Sequence, residues 1–498
     1  MRLSNKHANV QTVTYRDFTG GLNTNDAPEV LQPNELCRAV NVEIYKGQLK
    51  TVSGTTKVYY QADGDYKDLV YDSIGNYFLL IDSRRNVYWL NNDGKHIAGQ
   101  LTGDSNVAYA AWESGVLIAS GGKLQYFHSG ELETLSTSPD VCHGVFVKDG
   151  RVWVYYDDEL KCSHVGDEAD WEHDDSDESS AQWLQIGYKD GGYIVGVTSL
   201  SSDVIILKSN SHAYHLAGSF PSWQLSEIGR QISCKCYNAC VALVNNTVCI
   251  GASTVQAIST TDSYGDMQAT NIAQKVYGDI LNLPKEIKPR YIPQLNQVWI
   301  LQGTKQFIFY DVNVNAWYYR KFNSDVVDAV EANNHVYILK PTGLYVIDPS
   351  HMLDEDIPMQ WSFYTQNLLS NNRFLIKRVR VDTTPFHNQY AEERFLIGGV
   401  ALEAAQPDTA YELYNNNAYL YESQLPLCPP PTASMYPGSE ELYNSQEMIY
   451  ESDLPLVTLG MYRAEIRCVN NRKSIQVRGS GNGGITIFNS ISYDIAEV

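Results

Sequence analysis

The chain has 498 residues, 43% of them hydrophobic, and carries a formal net charge of −21. This length predicts two or three domains. The negative charge argues against general electrostatic binding to nucleic acid, which depends on Lys and Arg displacing counterions from phosphates. An acidic surface would let DNA pass without sticking, and the alternative is that the charge only confers solubility. The 35 tyrosines and 35 glycines favour strands and turns over helices.

The N-terminal stretch contains no apolar segment of the signal-peptide kind, and no run of about 18 apolar residues occurs elsewhere. We therefore expect synthesis and folding in a cytoplasm, without membrane insertion. Nine cysteines are an odd number scattered over a long chain, which predicts reduced thiols rather than a secreted disulfide framework.

Residues 1–60 predict an extended N-terminal arm. Turn residues occur in it at Gly20-Gly21, at Asp26-Ala27-Pro28 and at Pro33-Asn34. Two roles are open for this arm: it supplies a closing strand to the next domain, or it lies along a neighbouring subunit.

Residues 61–352 repeat one pattern seven times, a turn or small residue followed by a β-rich stretch and then a second strand. The equivalent positions are Leu80, Ile118, Val154, Ile206, Ile250, Ile300 and Ile338. Their separations are 38, 36, 52, 44, 50 and 38 residues, and a four-stranded propeller blade needs roughly 40. Asp149-Gly150 and Asp93-Gly94 suit type I′ hairpins. The pattern predicts an all-β fold with a β-propeller of about seven blades, or six if one hairpin belongs elsewhere.

The longer blade spacings contain insertions, of which the plainest is the acidic stretch that begins at Gly166. The titratable residues considered as possible ligands are His164, just before this stretch, and within it His173, Asp174, Asp175, Asp177 and Glu178. Carboxylates of this kind suit a hard cation, but the stretch lacks the spaced glycine of an EF-hand loop. We therefore interpret the four acidic residues as an acidic loop or channel surface.

Residues 353–498 predict a C-terminal β domain of the sandwich kind. An insertion at about residues 396–457 contains a duplication: ELYNNNAYLYESQLPL from Glu412 matches ELYNSQEMIYESDLPL from Glu441 at ten of sixteen positions. A Pro-rich stretch separates the copies, so we interpret the insertion as a projection that touches partners. Its candidate contact residues are Tyr414, Tyr421, Tyr443 and Tyr450.

Three further patterns carry only weak chemical meaning. Residues 479–484 fit GxGxxG, but a strand follows where a dinucleotide site needs a helix, so we predict a hairpin loop. Cys234, Cys236 and Cys240 lack a fourth zinc ligand and are interpreted as buried thiols. Residues 377–380 form one short basic stripe, which we interpret as a solvated sheet face or a row of subunit salt bridges.

The sequence contains no nucleophile elbow, Walker loop, HExxH, sialidase-type Asp box or WD signature. A glycosidase needs two carboxylates in the central funnel, and no pattern selects such a pair. We therefore expect no enzymatic activity, no catalytic or metal-binding residue and no cofactor.

The N-terminal arm carries a more specific pattern. It reads Phe18-Thr19-Gly20-Gly21-Leu22-Asn23-Thr24, followed by Asp26-Ala27-Pro28, Pro33-Asn34-Glu35, Asn41-Val42 and Gly47-Gln48-Leu49. This order resembles the opening of propeller proteins in the tails of short-tailed bacteriophages, where an F-x-G-G-L-N arm and an N-V…G-x-L strand precede the blades. After the arm come a propeller, which includes GASTVQAIS from Gly251, and then a C-terminal β domain. This order of domains resembles the packaged-DNA stabilisation, or head-completion hub, proteins of the same phages.

The resemblance implies a structural virion protein that forms a hexameric ring, hub or nozzle, in a short tail. Such a ring joins head to tail, retains packaged DNA and forms part of its exit channel. The implied partners are portal and adaptor rings, tail needle, spike or fibre proteins, and double-stranded DNA that passes without sequence-specific binding. The candidate subunit or partner contacts in the arm are Phe18, Gly20, Gly21, Leu22 and Asn23. The duplicated projection lies outside the family's pattern.

A second hypothesis is a tail-associated propeller enzyme or receptor-binding protein that acts on host surface glycan. Rings or portal-dependent assembly under the microscope would favour the first hypothesis. Turnover of host polysaccharide would favour the second.

Overall fold

A computed structural model describes the backbone of residues 10–91, 93–261, 267–387, 392–397, 400–402, 460–465, 472–483 and 485–497. The chain forms two compact units. Unit 1 comprises Met1–Thr56, Ile308–Asn323 and Ile347–Val498, and unit 2 comprises Lys57–Phe307 and Ser324–Val346. The domain boundaries predicted at residues 60 and 352 stay predictions.

The N-terminal arm is extended, as predicted, and consists of short strands. They are β1 Val10–Tyr15, β2 Gly21–Leu22, β3 Glu35–Val40, β4 Val42–Tyr45, β5 Gln48–Thr51 and β6 Thr55–Tyr59. A 3-10 turn at Tyr60–Ala62 follows them.

The β-propeller predicted from the sevenfold repeat is confirmed, and its strands follow the arm in blades of antiparallel neighbours. Blade 1 consists of β7 Tyr66–Asp72, β8 Tyr77–Asp82, β9 Asn86–Asn91 and β10 Gly94–Gln100. Blade 2 consists of β11 Ala108–Trp112, β12 Gly115–Ala119, β13 Gln125–His128 and β14 Glu131–Thr134. Blade 3 consists of β15 Gly144–Lys148, β16 Arg151–Tyr156, β17 Glu159–Cys162 and β18 Gln182–Gln185.

The remaining blades follow the same order. Blade 4 consists of β19 Ile194–Leu200, β20 Asp203–Lys208, β21 His212–Ala217 and β22 Gln224–Arg230. Blade 5 consists of β23 Cys240–Ala242, β24 Thr247–Ile250, β25 Val255–Thr260 and β26 Met267–Asn271. Blade 6 follows a 3-10 turn, Gln274–Val276, and a short helix, α1 Tyr277–Leu281; its strands are β27 Lys288–Ile292, β28 Gln297–Leu301, β29 Gln306–Asp311 and β30 Ala316–Lys321. Blade 7 consists of β31 Asp328–Ala332, β32 His335–Lys340 and β33 Gly343–Ile347, with β6 as its fourth strand.

The ring of blades closes in two ways. The first strands of the blades lie side by side around the axis, and β31 of blade 7 contacts β7 of blade 1. In addition, β6 joins β33, so the end of the N-terminal arm supplies the closing strand, one of the two roles predicted for it. Such closure leaves only short, protected sheet edges and gives a rigid scaffold.

The sequence repeat corresponds to the second strand of each blade. All seven equivalent positions lie on these strands, and each is 0% exposed. Apolar side chains from neighbouring blades pack against one another, as Leu69 and Leu80 of blade 1 do against Leu339 and Leu344 of blade 7. The predicted type I′ turn after β15 is confirmed, because Asp149 and Gly150 have φ values of 55° and 68°.

Unit 1 is built around one long strand. Its later strands are β34 Leu353–Asp354, β35 Ile357–Pro358, β36 Gln360–His387, β37 Glu392–Ile397, β38 Val400–Leu402, β39 Gly460–Glu465, β40 Arg472–Asn482 and β41 Ile485–Glu497. Strand β36 pairs with β3, β39, β40 and β41, and β1 pairs with β41. The arm therefore shares its sheets with the C-terminal strands. Trp361, Phe363 and Phe488 pack together in the core of this unit.

The prediction of a hairpin loop at the GxGxxG pattern is wrong for residues 479–482, whereas Gly483, with φ +62°, lies between β40 and β41. Residues 479–482 lie inside β40, where they pair with Phe363 to Gln360 of β36. Gly479 is needed there because a Cβ atom would lie 2.5 Å from the Phe363 ring. The pattern is therefore explained by close packing between a strand and a ring.

Among the residues that the structure describes, no helix is long and apolar enough to cross a membrane.

Candidate functional site

The F-x-G-G-L-N segment packs inside unit 1. Phe18 is 0% exposed and lies edge-on to the Phe363 ring, with 6.2 Å between ring centroids. Leu22 is also 0% exposed. These burials give both side chains a structural role within the chain, and their predicted contact with another subunit stays a prediction.

Both glycines of this segment occupy positions that a side chain cannot enter. A Cβ atom on Gly20 would lie 2.7 Å from the Asn34 carbonyl oxygen. Gly21 has φ +66°, and its Cβ would lie 2.5 Å from the Cβ of Ala316. The backbone conformation and the lack of space at Gly21 both demand glycine.

Asn23 is the centre of a polar network that links the next parts of the motif. Its amide nitrogen donates to Asp26 (3.0 Å) and to Glu35 (3.2 Å), and its side-chain oxygen accepts from the Asp26 backbone NH (3.1 Å). Glu35 in turn accepts from the Gln32 backbone NH at 3.0 Å. With 2% of Asn23 and 6% of Glu35 exposed, these bonds satisfy polar groups that burial would otherwise leave unpaired.

Asn41 has a similar role at the N-V part of the motif. Its φ is +54°, which Asn tolerates better than most residues. Its side-chain nitrogen donates to the carbonyls of Lys321 (2.8 Å) and Gln360 (2.6 Å), and its oxygen accepts from the Lys321 NH (2.7 Å). One asparagine thus joins three backbone segments of unit 1.

A buried carboxyl in unit 1 provides a test by pH. Burial, together with the Glu43 charge, raises the pKa of Asp311 to about 6, whereas the unfolded chain keeps a pKa near 3.8. The folded protein therefore favours the protonated form of Asp311. The stability that this protonation contributes is lost as the pH rises from about 4 to 6. We expect Asp311→Asn to stabilise the protein by about 2–3 kcal/mol at pH 8, because the variant carries no buried charge, and by almost nothing at pH 4. The amide oxygen of the variant can still accept from the Asn313 NH.

Urea unfolding of wild type and variant across pH 4 to 8 measures this difference. Asp356→Asn, at an exposed carboxylate of the same unit, is the control. A stability difference for Asp311→Asn that does not change with pH would show that the buried charge is not its cause.

Inside the propeller, charged side chains form one compensated cluster on the first strands of three blades. The Arg290 guanidinium holds Asp328 with two bonds of 2.8 and 2.9 Å, and Lys288 Nζ lies 2.7 Å from Asp68. Burial acts to raise the pKa of Asp328, but the charges of Arg290 and Lys288 outweigh it and hold this pKa below its usual value. An ionised, fully paired carboxylate is unsuited to act as a general acid or base at neutral pH.

One end of the propeller channel is bridged by side chains from non-adjacent blades. Tyr237, in the loop before β23, stacks on His143 before β15, with ring centroids 4.2 Å apart. Asn106, before β11, donates to the Tyr237 carbonyl at 3.3 Å and to Glu286 at 3.1 Å. Asn238 donates to the His143 carbonyl at 2.9 Å. These contacts link the loops that precede the first strands of blades 2, 3, 5 and 6.

A pocket of about 570 Å³ lies among blades 2 to 5. Its walls are largely uncharged, with Tyr109, Phe146, Val197 and Cys240 among them. Burial raises the pKa of Tyr109, so its hydroxyl stays protonated. Two carboxylates also line it, and each has a basic partner: Asp149 lies 3.6 Å from Lys148 Nζ, and Asp203 lies 2.8 Å from His215 Nε2.

The cysteines near the channel are poor nucleophiles. Cys234 and Cys236 lie in the loop before β23, each 9% exposed, and burial raises the pKa of both thiols. Burial also raises the pKa of Cys142 to about 12 and that of Cys162 to about 11. Because the thiolate is the reactive form, these residues are inert. Within the described residues, no group of three or more His, Cys, Asp or Glu side chains is arranged to hold a metal ion.

The acidic insertion lies between β17 and β18 of blade 3, where its carboxylates shape turns. Asp174 accepts from the hydroxyl of Ser176 at 2.7 Å, which lowers its pKa, and Asp177 accepts from the Ser179 NH at 2.8 Å. His173 is bonded to Asp175 (2.9 Å) and to the Ala181 carbonyl (2.8 Å), and these bonds raise the pKa of the imidazole. Glu178 contributes its backbone carbonyl to Arg151. The acidic residues Asp174, Asp175, Asp177 and Glu178 thus form part of a loop surface. Their predicted role in lining a channel stays a prediction.

Arg151, which is 2% exposed, anchors this loop. Its guanidinium donates to the carbonyls of Ser163 (2.9 Å), Ser180 (2.6 Å) and Glu178 (2.7 Å).

We expect Arg151→Lys to speed proteolytic cleavage within residues 163–181 about tenfold, because an ammonium group cannot reproduce the guanidinium fork. Limited proteolysis with mass-spectrometric mapping measures it, and Arg84→Lys at an exposed site is the control. Equal cleavage rates in the two variants would contradict this anchoring role.

A second pocket, of about 250 Å³, lies beside the same insertion. Two indoles line it: Trp183, 54% exposed, and Trp171, which packs partly against the apolar core around Cys142. His173 meets the Trp183 ring edge-on at 5.0 Å, and Lys161 and Gln182 add polar groups. Amphipathic aromatic rings with polar neighbours suit a ligand that has one apolar face and several hydroxyls.

No protein-family model matches the chain, and no protein with a curated description matches it. Several solved structures are similar to it in fold. BamB from Moraxella catarrhalis is 9% identical and covers 68% of this chain and 97% of its own, with a TM-score of 0.39. The N-terminal domain of Nup159 is 9% identical over 62% and 98%, and YCF48 bound to D1 peptide is 11% identical over 62% and 96%, both with a TM-score of 0.37.

These neighbours are β-propellers, in agreement with the four-stranded antiparallel blades of this chain. Their low identity and TM-scores below 0.5 transfer no function to this chain.

The candidate contacts Tyr414, Tyr421, Tyr443 and Tyr450 lie outside the described residues. Sequence reasoning missed Tyr237, Asn238 and the Arg290–Asp328 pair. For Arg290 and Asp328 a weak signal was present, since each lies seven residues before a predicted repeat, the ones that begin at Gln297 and His335. For Tyr237 and Asn238 there was none, because partners up to 131 residues away are set by ring closure.

Proposed function

We propose that this chain is a structural virion protein that forms a ring, as hub or nozzle, in a short bacteriophage tail. The observation that carries the proposal is the N-terminal pattern resembling that family. Gly21, Asn23 and Asn41 each have a specific packing or hydrogen-bonding reason for their place in unit 1. A sequence motif whose residues each have a specific structural role is a stronger sign of family resemblance than a stretch that is merely rich in turn-forming residues.

The closed propeller supports a scaffold role. Blades that pack on one another, with a first and last blade joined by β6, make a rigid wedge that can repeat around a symmetry axis. The bridge of Tyr237 and His143 means that DNA would pass between copies in a ring and not through the axis of one propeller. Six copies surrounding a shared channel fit this requirement.

The chemistry of the propeller interior also supports a non-enzymatic role. Asp68 and Asp328 are neutralised by cations, and the thiol groups of Cys234 and Cys236 are held protonated.

Negative-stain microscopy of the purified protein, alone and with a portal ring, tests the proposal. We expect six-fold rings, either free or assembled on the portal. Particles that stay single in both samples would overturn it.

A second candidate function is glycan binding or processing at the host surface, which the pocket between Trp171 and Trp183 favours. It predicts that host polysaccharide quenches or shifts the fluorescence of Trp183, and that Trp183→Ala removes the change. Binding without any ring assembly would favour this candidate over the first.

A further inference from the structure

Unit 1 carries a cationic sheet face that is unexpected in so acidic a chain. Arg38 of β3 pairs directly with Tyr364 of β36, and Tyr364 pairs directly with Arg478 of β40. Directly paired residues of neighbouring strands point to the same face, so the three side chains form one row. The two guanidinium groups lie 5.6 and 5.1 Å from the centroid of the Tyr364 ring.

The next rows of the same face add polar groups. Ser362 pairs with Ser480, and Gln360 pairs with Asn482. These residues, with Arg38 and Lys321, line an open pocket of about 330 Å³. Alternation fixes the direction of the side chains: Trp361 and Phe363 are buried in the core, whereas Arg38, Arg478 and Ser480 are exposed.

Arg38 and Lys321 of this pocket, and Arg478 beside it, form no ion pair among the described residues. Arg38 uses its Nε to bond Ser362 Oγ at 2.9 Å, and Arg478 uses its Nε to bond Gln476 at 2.8 Å. Across the described part of the chain, neither guanidinium group nor the Lys321 ammonium forms an ion pair with a carboxylate. The outer NH₂ groups of both arginines therefore remain available to a ligand.

We propose that this face, the Arg38–Lys321–Arg478 patch, binds the phosphodiester backbone of nucleic acid. Arginine forks match phosphate oxygens, and serine hydroxyls and side-chain amides are common additional donors to them. Arg38 and Arg478 are two strand spacings apart, about 10 Å, so they reach different phosphates of one backbone.

Local charge decides this interaction, not net charge. Screening limits electrostatic forces to about 10 Å at 0.1 M salt, so distant carboxylates of the chain are largely screened from a phosphate in this pocket. The expectation from net charge alone, that nucleic acid is not bound, is therefore too coarse for this face. The physiological source of the nucleic acid rests on the proposed function, whereas binding itself rests on the patch.

Fluorescence anisotropy with the full chain and a labelled 30-base-pair duplex tests the inference between 50 and 200 mM salt. We expect wild type to bind two unrelated sequences within about twofold, with a slope of log K against log salt near −3. The triple variant Arg38→Gln, Lys321→Gln, Arg478→Gln should lose at least about tenfold in affinity at 50 mM salt and bring the slope close to zero.

The matched control is Lys189→Gln, Lys285→Gln, Lys305→Gln, which removes three exposed cations of unit 2. This control should keep the wild-type slope of log K against log salt. That result would show that binding depends on the patch and not on the net charge of the protein. Absence of binding by wild type at 50 mM salt, or equal losses in both triples, would overturn the inference. So would binding of inorganic phosphate without binding of the duplex, which would identify a small-anion site. Ring assembly is scored separately, so a failure here is distinguishable from a failure of the proposed function.

Discussion

Asp328→Ala is expected to destabilise unit 2 by about 3–5 kcal/mol, because it leaves the Arg290 guanidinium in a buried site without a counter-charge. Asp328 is 0% exposed, and it also accepts from the backbone NH groups of Leu69 (3.0 Å) and Ala329 (2.9 Å). The substitution therefore removes an ion pair and also leaves two buried NH groups unpaired. Urea unfolding followed by tryptophan fluorescence measures the loss.

Asp325→Ala, three residues earlier and exposed, is the control and should change stability by less than about 0.5 kcal/mol. The double variant Arg290→Met, Asp328→Leu should recover most of the loss, because no uncompensated charge remains. A double variant as unstable as Asp328→Ala would contradict the electrostatic explanation.

Gly21→Ala is the second large effect, with an expected loss of about 2–4 kcal/mol in unit 1. The added methyl group meets two obstacles: the backbone has φ +66°, and the Ala316 Cβ occupies the space only 2.5 Å away. Thermal and urea unfolding measure the loss.

Gly47→Ala separates these two causes. Gly47 also has a positive φ, +83°, but nothing lies within 4 Å of its Cβ position. Its loss should therefore stay near 1 kcal/mol, the cost of the backbone conformation alone. Equal losses at Gly21 and Gly47 would mean that the contact with Ala316 is not important.

The propeller was predictable because its signal is local and repeated. Each blade places one apolar residue of its second strand in a position with no exposure, and seven such residues in sequence outweigh the noise of any single strand. Turn chemistry added an independent signal, as at Asp149 and Gly150.

The pairing in unit 1 was not predictable in the same way. Leu36 pairs with Thr365 and Val10 with Ala496, and neither register leaves a trace in the local pattern. The glycine run at residues 479–482 was misread for this reason: a turn composition marked a strand that must approach Phe363 closely. Long-range pairing, not local propensity, selected glycine there.

The same limit applies to the candidate sites. The Arg38–Lys321–Arg478 patch joins residues separated by up to 440 positions, and only the registers of β3, β36 and β40 bring them together. Composition gave the opposite expectation, because net charge averages over carboxylates that lie elsewhere. The acidic insertion, by contrast, was recognisable, since its acidic residues are close together in the sequence and its turns are built from Asp and Ser.

Single-particle cryo-electron microscopy of the protein assembled with a portal ring tests the central claim most directly. We predict six copies around one channel wide enough for a DNA duplex, with every propeller axis bridged by Tyr237 and Asn238. A monomeric particle that never associates with the portal ring would contradict the account.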